Sequence, residues 1–211
     1  MVDPLTINRF RRARGKRLRA KIAYIANSLG RDITILDIGG RENYWANVGL
    51  ENVKSIDLLN YNLDEISNVA NSSVFRIRLG DARNLVDYKD CSIDLVHSNS
   101  VIEHVGSWLD MQAMAREALR VGFSGWIQTP AWEFPIEPHF KAPFLHWFGQ
   151  PLRRRMMTMS TAYRGKGLSE RRMHVDRINL LSHSELAELF PEKTIYVERF
   201  LFLPKSYIVQ W

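Results

Sequence analysis

Residues Ile33–Asn43, with the sequence Ile-Thr-Ile-Leu-Asp-Ile-Gly-Gly-Arg-Glu-Asn, decide the fold of this chain. The apolar run Ile33–Ile38 is typical of a strand that is buried on both faces of a parallel sheet. Gly39 and Gly40 then permit a tight turn and a close approach of a ligand to the main chain. Because Asp37 stands at the end of the strand, the stretch predicts a ligand-binding turn at the carboxyl edge of an α/β sheet. Gly-Gly after an apolar run also occurs as a plain connection between a strand and a helix, so the neighbouring segments must decide.

Three further apolar runs end in small or acidic residues. They are Val53–Leu58 with Asp57, Val74–Leu79 followed by Gly80-Asp81-Ala82, and Ile93–Ser98 followed by Asn99-Ser100. Asp57 follows Asp37 by 20 residues, which is the offset at which an acidic residue binds ribose in a dinucleotide fold. Four strands that end in this way predict one adenosine-sized ligand along a single edge of the sheet.

Helical patterns alternate with these strands and continue after them. Helices are predicted at Asn8–Leu29, from Tyr44 onward, at Ser107–Val121 and at Ser182–Phe190, and strands at Gly125–Thr129, Thr194–Phe200 and Ser206–Trp211. The alternation indicates right-handed βαβ units. The last two strands are too close in sequence for a crossover helix and must pair antiparallel. The sequence therefore predicts an α/β fold with a doubly wound, mostly parallel, seven-stranded sheet and an antiparallel final strand.

These segments resemble the ordered motifs of class I S-adenosylmethionine (SAM) methyltransferases. The resemblance is carried by Asp37-x-Gly39, Asp57, Gly80-Asp81-Ala82 and, most specifically, Asp94-Leu-Val-His-Ser-Asn-Ser-Val-Ile-Glu-His-Val105. It spans residues 33–129 and resumes in the last thirty residues or so. The resemblance implies SAM as the cofactor and S-adenosylhomocysteine as its product.

The resemblance also implies a set of cofactor-binding residues. They are Asp37, Gly39, Gly40, Arg41, Asp57, Leu58, Asp81, Ala82, Asn99 and Ser100. In this set Asp57 is expected to bind the ribose and Asp81 the adenine amino group, with Ala82 leaving room for the ring. The glycine loop departs from the family pattern, since Arg41 and Asn43 occupy its second and third glycine positions. Arg41 either pairs with the methionine carboxylate of SAM or faces solvent.

Composition restricts the architecture and the compartment. With 211 residues, 45% of them hydrophobic, we expect a single domain over residues 1–211 with one insertion. Cys91 is the only cysteine, so the chain forms no internal disulfide, which suits a reducing cytosol. Residues 1–10 lack the apolar core of a signal peptide, and no run reaches the roughly 18 apolar residues of a membrane span. We therefore expect a cytoplasmic protein.

Two basic segments contribute to the formal net charge of +6. The leading segment, residues 1–31, concentrates arginine and lysine on its predicted helix, which either presents a solvated face or recruits an anionic substrate or membrane headgroups. The second segment includes Arg153-Arg-Arg155, Arg164, Lys166, Arg171 and Arg172. It is interpreted either as a contact for an anionic lipid, a nucleotide sugar or RNA, or as a mobile solvated lid.

The segment 130–178 is too long for a passive loop and is interpreted as an insertion that selects the substrate. Its prolines stiffen the backbone, and its aromatic residues form either a hydrophobic flap or a pocket for an apolar or ring-containing substrate. The aromatic residues are Trp132, Phe134, Phe140, Phe144, Trp147 and Phe148.

Glu137 and His139 stand two residues apart in this insertion, so in an extended backbone their side chains point the same way. Such a pair suits methyl transfer to a hydroxyl, because the hydroxyl needs a base to accept its proton. The alternative is a surface pair without a catalytic role.

His104 beside Glu103 is a rival base. Ser100 stands where some family members place a metal-binding acid, so no metal is expected.

The sequence therefore predicts SAM-dependent methyl transfer to a small or lipid- or sugar-linked acceptor, at oxygen. One alternative is an RNA methyltransferase, against which the absence of an Asn/Asp-Pro-Pro-Tyr/Phe motif argues, since Asn99-Ser-Val-Ile stands at that place. The other is a non-catalytic module that binds SAM or a partner. The sequence does not indicate the oligomeric state.

Overall fold

Helices and strands alternate along the chain in the computed structural model, which describes residues 9–62, 73–136, 143–159 and 167–211. The first part contains α1 (Arg9–Leu29), β1 (Ile33–Ile38), α2 (Glu42–Val48), β2 (Val53–Asn60), β3 (Phe75–Leu79) and β4 (Ile93–Asn99). The second part contains α3 (Trp108–Val121), β5 (Gly122–Pro130), α4 (Gln150–Met159), α5 (Leu168–Asp176), α6 (His183–Leu189), β6 (Thr194–Phe200) and β7 (Leu203–Gln210). Short 3₁₀ helices span Ile102–His104 and Leu145–Trp147.

The strands form a seven-stranded sheet in the order β3-β2-β1-β4-β5-β7-β6. β1 pairs in parallel with β2 and β4, and β2 pairs in parallel with β3. β6 and β7 pair antiparallel. The predicted α/β fold, with a mostly parallel sheet that ends in antiparallel strands, is confirmed.

The chain comprises two compact units. The first contains Met1–Asn99, Arg116–Ile127 and Trp211, and the second contains Ser100–Ala115 and Gln128–Gln210. β1 to β4 therefore belong to the first unit, whereas α4 to α6, β6 and β7 belong to the second. Most of the predicted cofactor residues fall in the first unit, and the insertion falls in the second.

Apolar side chains of β1, β2 and α1 supply much of the core of the first unit. Ile33, Leu36, Ile56 and Leu58 are fully buried, as expected for strands covered on both faces. The apolar stripe predicted for α1 was Leu18, Ile22, Ile25 and Leu29; the first three are buried, whereas Leu29, at the end of the helix, is 39% exposed. None of the described helices is long and apolar enough to cross a membrane.

Three strand boundaries differ from the sequence-based expectation by two residues or more. β2 continues past Leu58 to Asn60, because Leu58 and Leu59 keep their register with β1. β5 begins at Gly122 directly after α3; a Cβ on that residue would lie 2.7 Å from a methyl of Val96. β7 includes Pro204, which was expected in a loop and is tolerated beside the register shift between Glu198 and Arg199 of β6.

The insertion contains two helices with a small core of their own. Leu145, Val175 and Ile178 are buried together. Arg154 of α4 donates to both carboxylate oxygens of Asp176 in α5, at 2.9 and 2.6 Å. The insertion is thus a folded segment within its described residues, and α6 follows it with the predicted capping box of Ser182 and Glu185.

Candidate functional site

The glycine turn after β1 is held in one conformation by the protein. Gly39 has a φ of +68°, which favours glycine. A Cβ on Gly40 would lie 2.0 Å from Oδ2 of Asp37, so the Asp37 carboxylate occupies the space that a side chain would need. The Gly39 N–H donates to the Leu59 carbonyl at 2.7 Å, and the Gly40 N–H donates to the Asp37 carbonyl at 3.3 Å. Both amides, which were expected to be open to a ligand, are therefore engaged.

Asp37 lies beneath this turn and is only 1% exposed. Its Oδ2 accepts a hydrogen bond from the Trp45 indole at 2.7 Å, and its Oδ1 lies 2.6 Å from Nδ1 of His97. His97 is equally buried, and its Nε2 lies 3.2 Å from the Tyr44 hydroxyl. Asp37 thus fixes the turn to α2 and β4 through protein groups.

Asp57 lies within β2 and is not the last residue of that strand. Its carboxylate is surrounded by charged and polar side chains from β3 and from the loop that follows β3. Asp57 is 8% exposed. Its Oδ2 accepts hydrogen bonds from the Tyr88 hydroxyl at 3.1 Å and from Arg78 at 3.3 Å, and Arg76 lies 4.0 Å from Oδ1. Burial, followed by the negative charge of Asp57, raises the pKa of Tyr88 well above its ordinary value. Leu58 is fully buried.

Asp57 and Asp81 line one cavity of about 280 Å³, which we call the Asp57 cavity. Its lining is Asp57, Leu59, Arg78, Leu79, Gly80, Asp81, Asn84, Leu85, Val86, Asp87 and Tyr88. Asp81 is bound by Arg83, whose side chain donates to both carboxylate oxygens at 2.6–3.0 Å. The structure therefore brings together the predicted ribose and adenine acids, each with a cationic neighbour. Ala82 is half-buried beside Asp81.

Asn60, at the end of β2, contacts the glycine turn and was not among the residues predicted for the site. Its amide donates to the Gly40 carbonyl at 2.9 Å. Its Oδ1 is buried and has no hydrogen-bond partner in the part of the chain that the structure describes. A buried acceptor without a donor fits a ligand that supplies N–H or O–H groups, as the ammonium and ribose hydroxyls of SAM do. A polar residue at the end of an apolar run was the available signal.

The remaining predicted cofactor residues are dispersed. Asn99 Oδ1 accepts a hydrogen bond from Arg14 at 3.0 Å. Ser100 has a left-handed backbone with a φ of +58°, and its hydroxyl donates to the Gln128 side chain at 3.2 Å. Arg41 is exposed and precedes α2 in an extended conformation.

Of the three predicted catalytic residues, Glu137 and His139 lie outside the described residues. His104 ends a 3₁₀ helix with its side chain 32% exposed, and its Nε2 lies 4.0 Å from Oε1 of Glu103. Glu103 is fully buried and accepts a hydrogen bond from the Thr129 hydroxyl at 3.0 Å. Among the described residues, no group of three or more His, Cys, Asp or Glu side chains could hold a metal ion.

A second cavity of about 280 Å³ lies in the second unit, and we call it the Trp132 cavity. It is lined by Gly106, Ser107, Trp108, Met111, Trp132, His146, Arg153, Asn179, Leu180, Leu181 and Glu185. The Trp132 carbonyl accepts hydrogen bonds from His146 Nε2 at 2.9 Å and from the Trp147 indole at 2.8 Å. These two bonds hold the start of the insertion in place.

Comparison with known proteins identifies the domain. Residues 36–125 match a family model described as a methyltransferase domain. A search of the curated proteins gave no match.

Solved structures share the fold at low sequence identity. A chain of a Haloferax volcanii complex that contains the Trm112 methyltransferase activator has a TM-score of 0.54 at 11% identity, over 94% of this chain and 92% of that chain. A Pyrococcus horikoshii OT3 protein has a TM-score of 0.53 at 14% identity, over 92% and 89%. An O-methyltransferase family protein from Burkholderia thailandensis has a TM-score of 0.52 at 11% identity, over 95% and 58%. Residues 36–125, which are 90 of the 211 residues, are therefore similar to a methyltransferase domain on a fold shared with these structures, and this similarity implies SAM as the cofactor.

Proposed function

We propose that the protein transfers the methyl group of SAM to an oxygen atom of a small acceptor. The observation that carries the small-molecule part is the Trp132 cavity, which combines two indole rings, a methionine and a few polar groups in about 280 Å³. Pockets for drug-sized ligands are usually about 300–1,000 Å³, so this one suits a single ring system. A sugar- or lipid-linked acceptor would have to project from it.

The proposed reaction is a direct displacement. SAM supplies a methyl group on a sulfonium centre. The acceptor oxygen forms a bond to the methyl carbon while the carbon–sulfur bond breaks, and S-adenosylhomocysteine leaves with the electron pair. The hydroxyl proton passes to a base on the protein. On this proposal Asp57, Asp81 and Asn60 hold the cofactor, together with the turn at Gly39 and Gly40; Leu58 and Ala82 frame the adenine.

His139 remains our proposed base, with Glu137 as the group that orients it. His104 is the alternative, since it is partly exposed and adjoins the buried Glu103 carboxylate. The description of the Burkholderia thailandensis protein as an O-methyltransferase family member supports oxygen as the acceptor atom.

RNA is the second candidate acceptor, and the exposed basic face of α1 favours it. That face includes Arg9, Arg11, Arg12, Lys16 and Arg17. The same face would suit anionic headgroups. The methyltransferase match supports an enzyme over the third interpretation, a non-catalytic module.

Labelled SAM tests the acceptor class. The purified protein is incubated with labelled SAM and a cell extract, which is then separated into lipid, RNA and small-molecule fractions. We expect label in the small-molecule fraction and, by mass spectrometry of the product, a methyl group on oxygen. Label confined to RNA would replace this proposal with the second candidate.

His139→Ala tests the base. If the acceptor is a hydroxyl, we expect turnover to fall by roughly 10²–10⁴-fold, the usual contribution of a general base, while SAM binding stays near normal. His104→Ala serves as the matched control and should have a smaller effect. Near-normal turnover in His139→Ala would remove its catalytic role.

A further inference from the structure

Arg153, a cation that lines the Trp132 cavity, forms no ion pair within 4.0 Å among the described residues, unlike its neighbour Arg154. Arg153, on α4, lines the cavity, and its Nε is buried without a hydrogen-bond partner among the described residues. The adjacent Arg154 is bound through two hydrogen bonds to Asp176. Arg155, the next residue, is exposed. Three consecutive arginines thus have three environments, and only the first of them lines this cavity.

Burial lowers the pKa of the Arg153 guanidinium from its ordinary value. The nearby Asp176 carboxylate opposes this effect, and the positive charge of Arg154 adds to it. An arginine remains protonated at neutral pH despite such a shift. The side chain is therefore a partly buried cation that an anionic group would stabilise.

Polar groups of Glu185, Asn179 and His146, which also line the cavity, have protein partners. Glu185 Oε2 accepts hydrogen bonds from the backbone N–H and the hydroxyl of Ser182, both at 2.7 Å. The Asn179 amide donates to the Gly106 carbonyl at 2.9 Å. His146 Nε2 faces the Trp132 carbonyl, as described above, and so carries the hydrogen of that bond.

From this arrangement we infer that the Trp132 cavity takes a small, ring-containing carboxylate. The carboxylate binds the Arg153 guanidinium, whose fork of N–H donors matches its two oxygens. The ring packs against Trp132, Trp108 and Met111. This inference rests on the proposed function, because it names the chemical class of the acceptor.

Calorimetric titration with three probes of similar shape tests the inference. The probes are 4-hydroxybenzoate, its neutral amide 4-hydroxybenzamide, and the cation tyramine. We expect the carboxylate to bind the wild-type protein most tightly. Arg153→Gln should weaken carboxylate binding by roughly 10- to 100-fold, the scale of hydrogen bonds to a charged group, and should leave amide binding nearly unchanged.

Matched variants separate this role from a structural one. Arg155→Gln removes the same charge from the exposed side of α4 and should retain the carboxylate preference. Arg153→Lys keeps the charge without the planar fork and should bind the carboxylate more tightly than Arg153→Gln but less tightly than the wild type. Circular dichroism checks that both variants are folded.

Equal binding of 4-hydroxybenzoate and 4-hydroxybenzamide by the wild-type protein, or tighter binding of tyramine, would overturn the inference. An unchanged 4-hydroxybenzoate affinity in folded Arg153→Gln would also overturn it. The titration involves no methyl transfer. Suppose that carboxylate binding depends on Arg153 but no methyl group is transferred to any small molecule. This result would contradict the proposed function and would still support the carboxylate-binding site.

Discussion

At the scale of single residues, the buried pair of Asp37 and His97 has the largest structural consequence. Both side chains are 1% exposed, and each is the nearest polar partner of the other across β1 and β4. Tyr44 and Trp45 complete the group, with their rings 4.9 and 5.2 Å from the imidazole. A buried polar group destabilises the protein unless it is hydrogen-bonded. Removing either Asp37 or His97 would therefore leave the other side chain buried without this hydrogen bond.

We predict that His97→Ala destabilises the protein by about 3 kcal/mol or more, because it opens a cavity and deprives the buried Asp37 of its partner. Tyr44→Phe is the matched control, since it removes one hydroxyl and should cost about 0.5–1.5 kcal/mol. Urea unfolding measures both. Equal losses in the two variants would show that the Asp37 contact adds nothing.

Asp57 offers a test of cofactor binding at the same scale. We predict that Asp57→Ala weakens SAM binding by roughly 1.5–3 kcal/mol, the size of losing hydrogen bonds to a charged group. Asp87→Ala is the control, since Asp87 is an exposed carboxylate that lines the same cavity. Calorimetry with SAM gives the comparison. The ribose assignment fails if folded Asp57→Ala binds SAM as tightly as the wild type.

The sequence predicted part of this site for a physical reason. Asp57 and Asp81 line one cavity because parallel neighbouring strands bring their carboxyl ends to the same edge. The hydrogen bonds that protein groups form with Asp37 could not be predicted from the sequence, because one of the partners, His97, is 60 residues away along the chain. Asn60 was missed because the length of β2 depends on pairing with β1 and β3, which one strand does not reveal.

At the scale of elements, Asp94 ties the beginnings of β1 and β4 together. Its carboxylate accepts two hydrogen bonds from Arg31, at 2.8 and 2.7 Å, and two from the N–H and hydroxyl of Thr34, at 2.8 and 2.9 Å. Burial alone would raise the pKa of Asp94, but the bonds from Arg31 and Thr34 outweigh it and lower the pKa. The ionised form therefore stabilises the native sheet.

We predict that Asp94→Asn lowers the free energy of unfolding by about 1–2 kcal/mol at neutral pH, a value reduced by the exposure of Arg31. A carboxyl whose folded pKa is depressed stabilises the protein above its unfolded pKa of about 3.9, and this stabilisation is lost as the pH falls through the lower folded pKa. The difference between the unfolding free energies of the two proteins should therefore stay constant near neutral pH and shrink as the pH falls below about 4. A difference that stayed constant below that pH would contradict this account.

Elements whose signals are local were predicted correctly, and elements that depend on distant contacts were not. The capping box that begins α6 is local, since Ser182 and Glu185 are three residues apart. The start of β5 at Gly122 and the inclusion of Pro204 in β7 depend on tertiary packing and on register with another strand. Periodicity within one segment contains no information about either.

At the scale of the whole molecule, the single domain expected from the chain length remains a prediction. The argument for it is that the strands form one seven-stranded sheet. We expect one cooperative thermal transition, with calorimetric and van't Hoff enthalpies that agree. Two separated transitions, or a van't Hoff enthalpy far below the calorimetric one, would indicate independent domains.

The occupied amides of the glycine turn have a consequence for nucleotide selectivity. Folds of this kind commonly bind the phosphates of dinucleotides through free N–H groups of a glycine turn. Here the amides of Gly39 and Gly40 already donate to carbonyls of the protein, whereas Asn60 offers a buried oxygen beside them. A turn that presents acceptors repels pyrophosphate and attracts ammonium and hydroxyl groups. We therefore predict that the protein binds NAD and ATP more weakly than SAM, which calorimetric titration with the three ligands would measure.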